Sequence, residues 1–419
     1  MTDQFDAPTT QPLRGMRVAL VHPAWHSCGT YQVVLGQIEA YRALGAAVYP
    51  IAISSDPGFI PERAWLWRAF VAATPELDAN ARFFGGAPFH AVLAPRFLKN
   101  TLWPYLHGDQ AAIRLGMAER ATLSRALSAQ SFDLVHCNHF FLMPVAHRLA
   151  HSPTPILLDT HDLQARQFVL INKGMPWLKP RVEYQAMLAQ ELEAMRGASL
   201  LLHLNAQEAQ DFRALLPQMS HELLYPATPP APTGPGGPDI IIVASNNTAN
   251  VESVIWFLRE VAPQIANLSI KIIGNVDAGV RAQAPQEFAA YQHWFLGRVD
   301  DPGRVYANAR LVLLPTISGH GLSIKTIEAF SSGLPIIATP HALRGMGAQV
   351  GDLEGLTIAD TAKTFSDAIT AQTQGSVPKE AQRLASQTRG YYLAQFSQRA
   401  YEQRLAALIA RLPARVNTP

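Results

Sequence analysis

The sequence predicts an α/β chain built as two doubly wound, Rossmann-like domains, and three observations lead there. Short runs rich in Val, Ile and Leu alternate with segments of helical period along both halves of the chain. The runs are apolar on both faces, as strands buried between helices in a parallel sheet must be. The rhythm breaks at PATPPAPTGPGGP, residues 226–238, which holds six prolines and three glycines in thirteen positions. Such a segment continues neither a helix nor a central strand and reads as an interdomain linker.

In the first half the strand candidates are RVALVHP (17–23), AVYPIAI (47–53), DLVHCNH (133–139), PILLDTH (155–161) and SLLLHLN (199–205). In the second they are DIIIVAS (239–245), IKIIGNV (270–276), HWFLGRV (293–299), RLVLLPT (310–316) and LPIIAT (334–339). Helices are expected between them. Residues 251–265 place Val251, Val254, Ile255, Leu258, Val261 and Ile265 on one face, with Asn250 as the expected N-cap. Residues 391–412 read as one long amphipathic helix. The expected domains are 1–225 and 239–390, with the stretch 391–419 returning to the first. Two domains of this kind, facing one another, leave a cleft at the carboxyl ends of their strands, where ligands bind. Chemistry is therefore sought just after strands.

Composition narrows the function classes. The chain has 419 residues with 34 basic and 32 acidic side chains, a formal charge of +2, so it lacks the basic excess of a nucleic-acid binder. Its apolar fraction of 48% marks a folded protein. No apolar run approaches the ~18 residues of a membrane span. The N-terminus is polar, with Asp3 and Asp6, and lacks the apolar core of a secretory signal. Cys28 and Cys137 are the two cysteines, too few for a disulfide framework or a four-cysteine zinc site. A cytoplasmic protein is expected, with peripheral contact at the inner face of a membrane as an option.

The first strand leads into HPAWHSCGTYQVV, where Gly29 and Thr30 open a helical pattern. A small-residue turn into a helix offers free N–H groups and a positive dipole end to an anion. It can equally be an ordinary strand-to-helix turn, and no GxGxxG is present. The most distinctive segment is ISGHGLSIKTIEAFSSGLPIIATPHALRG (317–345), directly after RLVLLPT. Gly319 and Gly321 let backbone approach a ligand closely. Lys325 and Glu328, three apart, share a helix face. Glycine N–H groups and an ammonium suit a diphosphate, and a carboxylate suits ribose hydroxyls. The bland reading is a surface ion pair; the position after a strand and the two glycines favour binding.

This segment resembles the donor-binding signature of GT-B glycosyltransferases, family 4, in the subset with Gly-x-Gly, then Lys, then Glu-Ala, then Gly-x-Pro. The matching residues are Gly319, Gly321, Lys325, Glu328, Ala329, Gly333 and Pro335. VASNNTANVESVIWFLREVAP (243–263) and FLGRVDDPGRVYANARLVLLPT (295–316) are similar to neighbouring parts of that domain, and the first half matches more loosely. The resemblance implies a GT-B fold and sugar transfer from a nucleotide-sugar donor to an acceptor hydroxyl, with retention and without metal. It places Glu328 on the ribose and Ser245, Asn246 and Asn247 at the loop facing diphosphate and sugar. Two departures stand out. His320 occupies the place of a second glutamate that touches donor-sugar hydroxyls, and the loop SNNTANVES lacks the usual Arg and Lys, leaving Lys325 as the main expected cation.

In the first half the family pattern is Asp-x-x-His-x-His. Here it reads Asp133, His136, Asn138 and His139, with the second His displaced by one. The next strand ends in Asp159, Thr160, His161 and Asp162. His139 and His161 are the catalytic candidates; the alternative for each is a polar residue closing a strand. His22, His26 and His341 are expected to be structural. No Asp-x-Asp occurs, so no metal is expected, and the nucleotide-sugar is a co-substrate rather than a resident cofactor. Expected partners are that donor and a glycan or lipid-linked acceptor, with polysaccharide or glycolipid assembly as the context and nucleic acid excluded. The rival readings are a nucleotide-sugar-binding subunit without turnover and a nucleotide-sugar epimerase on the same fold. Trp65 and Trp67 in IPERAWLWRAF (60–70), and RFLKNTLWPYLHG (96–108), mix aromatics with Arg and Lys. That mixture suits shallow membrane contact or ordinary core packing, and core packing is preferred.

Overall fold

The computed structural model describes residues 11–412, apart from 27, 56–63, 78–82, 176–181, 266, 300–301 and 320. The chain forms two compact units. One comprises the described residues of Met1–Leu204, Glu208–Pro226 and Tyr401–Pro419; the other comprises those of Asn205–Gln207 and Ala227–Ala400.

The first unit carries β1 (Arg17–Pro23), β2 (Ala47–Ser54), β3 (Phe83–Gly86), β4 (Leu134–Asn138), β5 (Ile156–Asp159), β6 (Leu200–His203) and β7 (His221–Leu223). They pair in parallel in the order β3-β2-β1-β4-β5-β6-β7. The chain begins in the middle, runs out to one edge, then returns beside β1 to build the other half. The order therefore reverses between β1 and β4, the place where doubly wound sheets bind ligands. Val21, Val135 and Leu158 join Phe140, Met143, Phe168 and Phe212 in one buried cluster, which fixes the sheet against its helices.

The second unit repeats the plan with β8 (Asp239–Val243), β9 (Ile270–Ile273), β10 (Phe295–Gly297), β11 (Ala309–Leu314), β12 (Ile336–Ala338) and β13 (Leu356–Ile358). Their order is β10-β9-β8-β11-β12-β13, again all parallel, and it reverses between β8 and β11. Ile242, Phe257, Trp294, Leu313 and Phe365 share its core.

Each of the ten apolar runs contains a strand, and the two-sheet α/β class is as expected. Three strands lie outside those runs: β3 (FFGG), β7 (HEL) and β13 (LTI). All three are sheet edges of three or four residues, too short and too little buried to show an apolar run. Two helix expectations need correction. The helix after β8 starts at Thr248, capped by Asn247, whose side chain accepts from the Asn250 backbone N–H; Asn250 lies inside the helix. The terminal stretch is two helices, Gln387–Gln395 and Gln398–Ala410. Between them Phe396 is fully buried and Ser397 Oγ accepts from Ala400 N at 3.1 Å, opening a new helix start.

The Pro/Gly segment is pinned along the second unit. Ala231 N donates to Ser331 Oγ at 2.7 Å, and the fully buried Arg383 donates to Gly234 O at 3.1 Å. The side chains of Trp65 and Trp67 lie outside the described residues. Among the described residues no helix is long and apolar enough to cross a membrane.

Candidate functional site

In the first unit the candidate histidines converge at the reversal point. His139 follows β4 and His161 follows β5, and their rings stack at 4.0 Å with an interplanar angle of 12°. Both have positive φ, 71° and 58°, and they are the non-glycine residues with that geometry among those described. A side chain there costs on the order of 1–3 kcal/mol, tolerated where the surroundings over-determine it and common at functional sites. The surroundings do so here. Phe141 stacks on His139 at 5.0 Å, and Trp25 meets it edge-on at 5.3 Å.

The hydrogen bonds set the rings' chemistry. Gln37, buried on the helix Gly29–Ala43, donates to Asp159 Oδ2 at 2.8 Å and accepts from Asn138 Nδ2 at 2.9 Å. That orients the Asn138 amide, so its Oδ1 accepts from His161 Nε2 at 2.8 Å. Asn138, standing where the family pattern has histidine, thus fixes the His161 proton on Nε2. His139 Nε2 lies 3.2 Å from Thr30 Oγ1, while its buried Nδ1 has no hydrogen-bond partner among the described residues. Burial pulls the His139 pKa well below its ordinary value, with help from His161 and Arg114. Burial also lowers that of His161, against an opposing pull from Asp159 and Asp162. Both rings are neutral at neutral pH, able to give or take a hydrogen bond but not to act as cations.

In the second unit a recess of about 250 Å³ opens at the carboxyl ends of β8 and β11. Ile242, Leu313 and Leu314 line its apolar side; Asn247, Asn250, Ser253, Ser318, Gly319, Ser323, Lys325 and Arg344 line its polar side. Gly319 and Gly321 have φ of 114° and 66°, conformations that glycine alone adopts cheaply. A Cβ on Gly319 would also stand 3.1 Å from Arg344 Nη2, so the missing side chain leaves room for that guanidinium. His341 Nε2 bonds Gly319 O at 3.0 Å and steadies the turn. Ser323 caps the helix Ile324–Ser332, which ends on Gly333 in the left-handed region.

Asn247, Gly319 and Lys325 line this recess together. Ser245 is exposed and outside that lining, tied to Asn250, which donates to its Oγ at 3.0 Å and its carbonyl at 2.9 Å. Asn246 is turned toward Asn275 and Gly279. Glu328 lies one turn along the helix, its Oε2 accepting from Lys325 Nζ at 3.1 Å and from Tyr306 at 3.4 Å. The Lys325 and Glu328 side chains are 36% and 27% exposed, so the bland surface-pair geometry is present while both groups stay accessible. Gly29 and Thr30 belong to the first unit, where Thr30 meets His139. His320 lies outside the described residues. Among those described, no group of three or more His, Cys, Asp or Glu could hold a metal ion.

Residues 237–373 match the family model described as glycosyl transferases group 1. The match covers about a third of the chain and contains the residues that line the recess. Solved structures extend the likeness to the whole fold. Anabaena Alr3699/HepE in complex with UDP superposes with a TM-score of 0.61 at 14% identity, covering 95% of this chain and 100% of that one. Sucrose-phosphate synthase from Thermosynechococcus elongatus gives 0.57 at 15%, covering 95% and 99%. The α,α-trehalose 6-phosphate synthase from Burkholderia multivorans gives 0.56 at 11%, covering 96% and 100%. The fold is GT-B. A curated Klebsiella pneumoniae relative, described as an uncharacterized 44.6 kDa protein in the cps region, is 21% identical over 126 residues, 28% of this chain. The match spans about a third of that relative's length, 32%.

Sequence reasoning missed Arg344 and Tyr306 in the second unit. Arg344 sits six residues past β12, within the segment 317–345 but outside the motif positions read there. Its signal was indirect: a loop after β8 without Arg or Lys needs a cation from elsewhere. Tyr306 is buried and reads from sequence as core.

Proposed function

We propose that the chain is a glycosyltransferase that moves a sugar from a nucleotide-sugar, a UDP-sugar foremost, to an acceptor hydroxyl. The observation that carries this is the recess at the β8–β11 reversal, where Lys325, Arg344, Asn247 and a positive-φ glycine turn converge inside the stretch that matches the group 1 family model. The diphosphate would lie against the Gly319 turn, with Lys325 and Arg344 supplying the charge that the loop after β8 lacks. Glu328, steadied by Tyr306, would take the ribose hydroxyls. In the transfer, the bond from the anomeric carbon to the β-phosphate oxygen breaks and the acceptor oxygen bonds to that carbon. The acceptor's proton leaves with the diphosphate. Two cations at the departing phosphate stabilise the charge that develops there. The neutral His139–His161 pair serves hydroxyl recognition, with His139 Nδ1 as its uncommitted atom. Retention of configuration, independence from metal, and an acceptor in polysaccharide or glycolipid assembly belong to the same proposal. The UDP complexes of the Anabaena protein support the choice of base.

Incubation with UDP-sugars and an acceptor panel tests the reading. UDP release that depends on acceptor, and that falls at least about 100-fold in Arg344→Ala with Lys325→Ala, is expected. Epimer or free sugar formed equally without acceptor would replace transfer with the epimerase reading.

A further inference from the structure

One segment of the first unit turns an apolar side outward. From Phe89 to Leu106 the chain winds through Phe89–Val92, Pro95–Phe97, the wider turn Leu98–Leu102 and Trp103–Leu106. Its inner side packs: Val92 and Phe97 join Ala87 and Met117 in a small core of their own, with Leu102 and Ile113 against it. Its outer side leaves Phe89, Leu93, Leu98, Trp103 and Leu106 exposed by 57, 56, 41, 64 and 46%. Five of the 14 large exposed hydrophobics among the described residues thus fall in one short segment, which scattered surface residues would not do. Core packing, the preferred sequence reading for RFLKNTLWPYLHG, holds for Phe97 and Thr101 but not for Leu98, Trp103 or Leu106.

The charges between these side chains say what covers them. Arg96 and Lys99, in the same segment, are exposed as well, and no Asp or Glu occurs from Phe89 to Gly108. A solvent-facing helix would carry polar residues of both signs outward. Apolar side chains, a Trp and only basic charge are the chemistry of a headgroup boundary, where aromatic rings settle and basic side chains reach phosphate. We infer that Phe89–Leu106 lies on an anionic membrane surface as a peripheral anchor, with Leu93, Leu98 and Trp103 entering the acyl boundary and Arg96 and Lys99 on lipid phosphates. The inference rests on this segment alone and stands apart from the donor-site reading.

Co-sedimentation of the full chain with vesicles of phosphatidylcholine, alone or mixed with phosphatidylglycerol, tests it. Binding to the mixed vesicles that salt weakens is expected. R96E/K99E should weaken it at least about tenfold, and L98E/W103E should abolish it, with melting temperature unchanged because the side chains are exposed. R96E/K99E decides alone should the apolar double variant not fold. No binding to mixed vesicles, or binding that R96E/K99E leaves intact, overturns the inference. So does a change in oligomeric state with L98E/W103E while vesicle binding persists, which marks a protein interface instead.

Discussion

At the scale of single residues, His139 shows most clearly what sequence carries and what it does not. Its place in a displaced Asp-x-x-His-x-His pattern after an apolar strand made it a candidate; its positive φ, its stacking on His161 and its bond to Thr30, 109 residues away in the chain, leave no local mark. The strain gives a direct test. His139→Ala keeps the unfavourable φ, whereas His139→Gly relieves it, so glycine should be the more stable variant by about 1 kcal/mol. Urea unfolding of the two variants reads that difference, and alanine equal to or above glycine would mean the backbone there is relaxed. Both should lose transfer activity, since both remove the ring. Arg344 is the opposite case: a residue type in plain view, whose role appears only when Gly319, with no side chain of its own, admits the guanidinium beside the recess.

At the scale of elements, the strands were legible because central parallel strands are apolar on both faces. The edges β3, β7 and β13 were not, because a short edge needs no apolar run. Capping was harder to read. Two asparagines, Asn247 and Asn250, stand three apart, and only the side-chain geometry shows which one opens the helix. Asn247→Ala should destabilise the second unit by about 1 kcal/mol, the usual loss of an N-cap, while Asn250→Ala should act mainly through the Ser245 turn. Gly333 carries a heavier load. It ends the Lys325–Glu328 helix at φ 66°, and a Cβ there would stand 2.1 Å from Arg383 O. Gly333→Ala should therefore cost more than about 2 kcal/mol. A thermal melt no lower than wild type would show that Arg383 and the Pro/Gly strap yield more easily than their buried hydrogen bonds imply.

At the scale of the molecule, the two units should answer acid differently. In the first, burial lowers His22 to about 4 and His203 to about 3, and lowers His139 and His161 as well. An unfolded chain binds these protons near pH 6.5, so below that pH it holds more protons than the folded one. The stabilisation is full above about 6.5 and is lost as pH falls through the folded values. His22 alone corresponds to on the order of 3 kcal/mol. Glu191, raised to about 7 by burial, acts in the opposite sense, but as one group against four. Hydrogen exchange at pH 7.5 and pH 5 should show protection falling across β1, β4, β5 and β6 while β8, β11 and β12 hold theirs; equal loss in both units would contradict this. The central claim is the donor site at the β8–β11 reversal, and titration calorimetry of UDP against wild type, Glu328→Ala and Arg344→Ala tests it most directly. Saturable binding by wild type, weakened at least about tenfold by each substitution through the loss of a charge-assisted contact, is the expected result. Binding that neither substitution alters, or none at all for UDP, GDP, dTDP and ADP alike, would contradict it.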